Sequence, residues 1–176
     1  MDERKYWPND LNAELTVVGA IVAKPELLAS VSGIVEAGHF NDSACRMIWK
    51  AIVDLGKQQR PISDDEIVMR IEETGGFSNV DCGDAKSVRE CVEVTLADFD
   101  GFPKEARWAA WRIRESALRR QLLAATGALK ESLIGGPPTE IKSRIQKLIE
   151  LSRELEQASS AAEAALAALN ADTERT

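Results

Sequence analysis

The stretch 39–66 constrains the fold most strongly, because it specifies one complete helix and the beginning of another. Asp42 and Ser43 are residue types that cap the N-terminus of a helix. Gly56 suits the left-handed position after a helix, and Pro61 opposes any continuation beyond it. The apolar residues between these signals share one helical face: Ala44, Met47, Ile48, Ala51, Ile52 and Leu55. We therefore expect an amphipathic helix at the centre of the fold.

A second start signal follows within the same stretch. Ser63 and Glu66 have the spacing of a capping box, and Ile62 and Ile67 flank it as a hydrophobic staple. The next helix is therefore expected to begin near residue 64.

Apolar residues at helical spacing continue through the first half of the chain, and no segment alternates long enough to predict a strand. We expect an all-α fold, with a polar arm at 1–7 and a compact bundle of five to six short helices at 8–100. The core of this bundle is predicted to include Leu15, Val18, Phe40, Ile48, Ile52, Leu55 and Ile67.

Residues 104–157 have a narrower apolar pattern, which is typical of a helical hairpin. The seam of the first helix is predicted at Trp111, Leu118, Leu122, Ala125, Leu129 and Leu133. Residues 135–138 read Gly-Gly-Pro-Pro and predict a hard turn. The seam of the second helix is predicted at Ile141, Ile145, Leu148, Ser152 and Leu155. Residues 158–176 are Ala-rich and predict a frayed helix that ends in a disordered tail.

The first hairpin helix also has apolar residues outside this seam, and an exposed apolar patch usually marks an interaction site. Tryptophan and arginine are common anchors of protein interfaces. The predicted surface for self-association or partner binding comprises Trp108, Trp111, Ile113, Ala117, Arg119, Arg120 and Leu123. We expect a two-fold homodimer through the hairpin.

The same helix admits a second interpretation, because basic residues beside aromatic ones also occur in nucleic-acid-binding proteins. The net charge of −7 opposes the tracking of a phosphate backbone. We expect weak or no binding of nucleic acid, and a basic helix face whose long side chains cover apolar surface.

Motifs for catalysis or metal binding are absent from the sequence. It contains no GxxxxGK[ST], HExxH or GxSxG pattern, and His39 is the single histidine. Cys45, Cys82 and Cys91 form no CxxC pair and are expected to be buried free thiols in a reducing cytoplasm. No apolar run approaches the ~18 residues of a membrane span. We expect a cytoplasmic protein with no catalytic, cofactor or metal site and no membrane contact.

Several short motifs follow one another in an order known from a protein family. The N-terminal motif residues are Pro8, Ala13, Glu14, Val17, Val18 and Gly19. Further motifs are His39-Phe40 before residues 46–49, the Leu-to-Pro-Ile segment at 55–62 and the Arg-Glu to Arg-Gln-Leu segment at 114–122. This ordered series, over about residues 8–157, resembles the N-terminal domain of DnaB-type replicative helicases.

The resemblance implies a non-catalytic interaction module of the replication machinery. In that family the domain forms a collar on the helicase hexamer, its hairpins pair two subunits, and its outer surface docks primase. The RecA-like motor of a full helicase is missing, so this chain is expected to lack ATPase and unwinding activity. Two origins fit. One is a fragment of a full helicase, and the other is a stand-alone phage- or plasmid-type regulator or loader that binds a helicase, a primase or nucleic acid.

Overall fold

The computed structural model of the protein describes residues 8–77, 80, 83–97, 99 and 102–173. These residues contain seven α-helices, three 3-10 turns and no strand, which confirms the predicted all-α fold. The α-helices are α1 (Leu11–Ala23), α2 (Leu28–Val31), α3 (Ser43–Lys57), α4 (Asp64–Thr74), α5 (Val88–Ala97), α6 (Ala106–Gly135) and α7 (Pro138–Thr173). The 3-10 turns are Pro25–Leu27, Ala37–His39 and Pro103–Glu105. The predicted arm at 1–7 and the end of the predicted tail, 174–176, lie outside the described residues.

Short polar side chains begin the helices of the bundle. The Asp42 carboxylate accepts a hydrogen bond from a backbone N–H in the first turn of α3 (2.8 Å), and the Ser63 hydroxyl does the same in α4 (3.5 Å). Asp10 caps α1 in the same way (3.2 Å). Gly75 ends α4 in the left-handed conformation, at φ 64°. These local signals place the helix boundaries close to where the sequence predicts them.

Gly56 does not end α3 as predicted. The helix continues to Lys57, and the left-handed residue is Gln59, at φ 56°. A Cβ atom at Gly56 would lie 2.4 Å from Cδ2 of Leu28, so the glycine makes room for the Leu28 side chain beside α3.

The core of the bundle lies between α1, α3, α4, α5 and the first half of α6. The ring of Phe40 stacks on that of Trp49, with centroids 5.4 Å apart. Leu15 is partly buried against this core. The predicted core residues that are fully buried are Val18, Phe40, Ile48, Ile52, Leu55 and Ile67.

Helices α6 and α7 form a hairpin, and α7 continues past residue 157 to Thr173. Residues 158–173 of the Ala-rich segment therefore belong to α7 and continue the hairpin helix. Ala158 is 1% exposed and packs with Leu118 of α6, and Ala162 is 5% exposed. The small alanine side chains let the two helices approach closely along this part of the hairpin.

The seam of the hairpin differs from the predicted one on both helices. On α7, Leu151 is 2% exposed, whereas the predicted seam residues Ile145 and Ser152 are exposed. On α6, Ser132 is buried and the predicted Leu133 is 63% exposed. Two successive steps of four residues overshoot the 3.6-residue turn of an α-helix, so the last predicted step carries Leu133 off the seam.

The turn between the two helices explains why Ser132 takes the buried position. The Gly136 N–H donates to the Ser132 carbonyl (2.6 Å), and a Cβ atom on Gly136 would lie 2.8 Å from that oxygen. The close approach therefore requires glycine. Arg144 of α7 donates to the Ala128 carbonyl of α6 and pairs with Glu140 (2.5 Å), which holds the distal ends of the helices together.

The cysteines differ from the prediction at one position. Cys45 is buried and free, and its burial raises the pKa of the thiol. Cys91 takes part in a disulfide bond, so the expectation of a free thiol is wrong for Cys91. Cys82 lies outside the described residues.

A pair of alanine variants tests the seam. Leu151→Ala should lower the free energy of unfolding by about 2–5 kcal/mol, because the truncation leaves a cavity between the helices. In the unpaired chain, at low protein concentration, Ile145→Ala should change it by about 0.5 kcal/mol or less, because Ile145 is 44% exposed. Urea denaturation followed by circular dichroism measures both values. A larger loss for Ile145→Ala than for Leu151→Ala would restore the predicted seam.

Candidate protein–protein interaction site

The hairpin extends beyond the bundle as an arm. The last hydrogen bonds from α6 to the bundle come from Arg120. Residues 121–135 of α6 continue for ~22 Å beyond this point, given the helical rise per residue. The contacts of Arg120 and Glu14 with the segment between α2 and α3 are called the joint here. The joint and the seam with α7 therefore position the far part of the hairpin.

Arg120 belongs to this joint and not to an exposed surface. Its Nη1 donates to the Pro8 carbonyl (2.8 Å), and its Nη2 donates to the His39 carbonyl (2.5 Å). Burial lowers the pKa of Arg120, although the nearby Glu14 carboxylate raises it. The planar guanidinium reaches both carbonyls at once, whereas a lysine ammonium presents a single point charge.

Glu14 completes the joint from the side of the bundle. Its carboxylate is 1% exposed and accepts from the backbone N–H groups of Asn41 (2.8 Å) and Asp42 (2.9 Å). Burial raises the pKa of Glu14 to about 7, although these two N–H groups and Arg120 favour the charged form. Glu14 thus holds the chain where it enters α3.

Side chains satisfy much of the backbone between α2 and α3. Arg46 donates to the Phe40 carbonyl from Nε (3.0 Å) and Nη2 (2.6 Å), and Arg114 donates to the Ile34 carbonyl (3.4 Å). Burial lowers the pKa of His39 in the same segment. Together with Arg120 and Glu14, these contacts fix the segment between the bundle and the hairpin.

Two further arginines of α6 form a ladder with acidic residues. Arg112 pairs with Asp10 (3.2 Å) and Glu115 (3.2 Å), and Arg119 pairs with Glu115 (2.6 Å). Glu115 is buried, and the two arginines neutralise the charge of its carboxylate. These pairings reduce the positive charge that could contact phosphates, and they disfavour the nucleic-acid interpretation.

The apolar residues of the predicted surface separate into buried and exposed positions. Ile113 and Ala117 are 1% and 3% exposed. They are therefore too buried to contact a second chain as predicted. They are covered because the first half of α6 packs inside the bundle. Trp108 and Trp111 are half-buried against the bundle core, and Leu123 is 50% exposed.

Two isoleucines of α7 are exposed as well, although they are not part of the interaction surface predicted from the sequence. Ile145 and Ile149 are 44% and 47% exposed and lie one helical turn apart. Leu123 follows the seam residue Leu122, and Ile149 lies two residues before the seam residue Leu151. We name Leu123, Ile145 and Ile149 the hairpin face. An apolar step of four beside the seam, at 145 and 149, is the signal that could have revealed it.

The described residues offer no metal centre and no membrane-spanning helix. No group of three or more His, Cys, Asp or Glu side chains that could hold a metal ion occurs among them. Within the same part of the chain, no helix is both long and apolar enough to cross a membrane. An exposed apolar face such as the hairpin face is suited to recognition of another protein.

A family model matches part of this chain, and a solved structure has a similar fold. The family model described as DnaB-like helicase N terminal domain matches residues 7–97. The fold is similar to the crystal structure of the N-terminal domain of DnaB helicase from Mycobacterium tuberculosis, with a TM-score of 0.69 and 18% sequence identity. That match covers 81% of this chain and 98% of the other. No curated protein sequence matches the chain.

Conservative changes at the two neighbouring arginines test the joint. Arg120→Lys should lower the free energy of unfolding by about 1–3 kcal/mol, because one of the two partly buried carbonyls loses its donor. Arg119→Lys is the matched control and should cost about 1 kcal/mol or less, because Arg119 is 55% exposed, lysine keeps its charge, and Arg112 also pairs with Glu115. Thermal and urea denaturation of both variants measure the difference. Equal losses would remove Arg120 from the joint.

Proposed function

Because the chain belongs to the family of DnaB-like helicase N-terminal domains, we propose that it is a non-catalytic interaction module that pairs helicase subunits and docks primase. The helicase motor is absent from these 176 residues, which contain no P-loop. Any role in unwinding therefore depends on a motor outside these 176 residues.

The hairpin face is the single observation that carries the pairing part of this proposal. Leu123, Ile145 and Ile149 are each 44–50% exposed although they belong to residue types that favour burial. They lie on the arm beyond the bundle, where a second chain can reach them. Burying three aliphatic side chains would stabilise an assembly by removing apolar surface from water.

A two-fold pair of hairpins suits this arrangement. In a symmetric dimer the same patch of each copy meets its equivalent, so apolar residues of one copy face apolar residues of the other. The polar exposed residues around the patch, Thr126 on α6 and Ser152 on α7, would remain at the rim. The assembly proposed is thus a four-helix contact formed by two arms.

Primase docking is the second part of the proposal and rests on the family relationship. Titration of the 176-residue chain with the purified helicase-binding end of its primase, followed by calorimetry, tests it. Binding that saturates at one primase segment per chain or per pair is expected. No heat of binding at high micromolar concentration would remove primase from the proposal.

A charge at the centre of the hairpin face tests pairing. Ile149→Glu should raise the dissociation constant of the dimer at least tenfold, because the contact would bury an unpaired carboxylate. Met69→Glu is the matched control, because Met69 is 48% exposed but lies on α4. Analytical ultracentrifugation over a concentration series measures both variants and the unmutated chain.

Three outcomes decide the pairing proposal. Loss of the dimer in Ile149→Glu with an intact dimer in Met69→Glu supports it. A strict monomer for the unmutated chain at high micromolar concentration contradicts it, as does an Ile149→Glu variant that pairs like the unmutated chain. Circular dichroism of each variant verifies that the helical content is unchanged.

A further inference from the structure

A cleft of about 380 Å³ lies between α3 and α4, on the bundle and apart from the hairpin face. Met47, Ala51 and Ile71 line it with buried apolar side chains. All three belong to the core of the bundle, so the packing beneath them holds this apolar floor in place. An aliphatic side chain that rests on such a floor is removed from water, which favours binding.

The rim of this α3–α4 cleft has more positive than negative charge. Among the described residues that line it, Arg46, Lys50 and Arg70 are basic and Asp54 is acidic. Asp54 pairs with Arg70 at 2.9 Å, so these two charges offset each other. Arg70 also pairs with Glu73, which lies outside the lining (3.3 Å). The positive charge that remains at the rim therefore comes from Arg46 and Lys50.

No carboxylate of the described residues pairs with either of these two cations. Arg46 uses Nε and Nη2 to donate to the backbone carbonyls of Phe40 and Asn41, and its Nη1 has no acceptor in the same part of the chain. Lys50 is exposed and forms no ion pair there. The two residues are four apart on α3, so they are neighbours on one side of the helix. A chain with a net charge of −7 thus has a local positive site beside an apolar floor.

We propose that the α3–α4 cleft binds a short acidic segment of a partner protein. One carboxylate of the segment contacts Arg46 and Lys50, and one aliphatic side chain rests on the apolar floor. Hydrogen bonds between arginine and a carboxylate are strengthened by the two charges. A volume of about 380 Å³ lies at the small end of ligand pockets, so the cleft accepts a few side chains and not a whole helix. This contact goes beyond the hairpin pairing, because it uses bundle residues and requires an acidic partner.

A protein carboxylate suits the cleft better than the phosphates of a nucleic acid. Binding along a phosphate backbone gains affinity from many cations, whereas Arg46 and Lys50 can hold one acidic group. The net charge of −7 also repels a polyanion before it reaches the cleft. The apolar floor beside the two cations matches an aliphatic side chain next to an acidic one, which a phosphate cannot supply.

Two capped peptides, Gly-Asp-Glu-Leu-Gly and Gly-Leu-Asp-Glu-Gly, serve as the probes. Each is titrated into the isotope-labelled 176-residue chain and followed by two-dimensional NMR. At least one should cause saturable shifts of the backbone amides of Met47, Ala51 and Ile71. Replacing both acidic residues of that peptide by their amides should weaken binding at least tenfold, because the charged contact is lost. Replacing its leucine by alanine should weaken binding about threefold or more, because less apolar surface is buried.

Two charge reversals on α3 provide the matched variants. Lys50→Glu should weaken peptide binding at least tenfold, because it places an anion at the rim of the cleft. Lys57→Glu changes the net charge of the chain equally but lies outside the lining, so it should weaken binding less than about threefold. Both lysines line the neighbouring groove beside α2, so the two variants differ in their access to the α3–α4 cleft. Circular dichroism verifies that each variant keeps its helical content.

Three results would overturn the proposal. The first is the absence of saturable shifts at the cleft with either peptide at ~5 mM. The second is equal weakening by Lys50→Glu and Lys57→Glu, which would show attraction to overall charge only. The third is a single-stranded oligothymidine that shifts the same amides at lower concentration than the peptides, which would assign the cleft to nucleic acid.

Discussion

The joint at the segment between α2 and α3 is the interaction on which the rest of the structure depends. This segment is almost without regular secondary structure, so its backbone groups need other partners. Glu14 accepts two of its N–H groups, and Arg46, Arg114 and Arg120 donate to its carbonyls. A buried backbone group without a partner costs about 1–3 kcal/mol. The loss of any one of these side chains should therefore destabilise the joint. Because α6 is continuous through Arg120, the joint also sets the direction of the whole hairpin arm.

The arm explains how a chain without catalytic motifs can carry a function. The base of the arm packs within the bundle. The far part of the arm has exposed apolar residues that other chains can contact. The hairpin face suits a symmetric contact with an equivalent face, which would pair two chains. That role agrees with membership of a family of helicase-associated domains.

The basic residues of α6 show how strongly context decides the use of a charge. In an acidic chain, a cluster of arginines beside tryptophans is a pattern typical of a binding surface. Here Arg112 and Arg119 neutralise the buried Glu115, Arg114 lies over the ring of Trp111, and Arg120 supports backbone carbonyls. These arginines stabilise the fold through contacts within the chain, and the large apolar side chains exposed on the far part of the hairpin are aliphatic.

The sequence by itself determined the helices, their capped beginnings and the hairpin turn, because these depend on residues within one or two turns of each other. Asp42 and Ser63 each cap a helix through a backbone N–H three residues later in the chain. Gly136 lies against the Ser132 carbonyl, four residues earlier, where a Cβ atom would not fit. The tertiary structure decided which side of each long helix is covered. The shift of the seam to Leu151 and the different roles of Arg119 and Arg120 depend on residues far away in the chain. Helical spacing defines a set of possible faces, but only packing against a particular neighbour selects one of them.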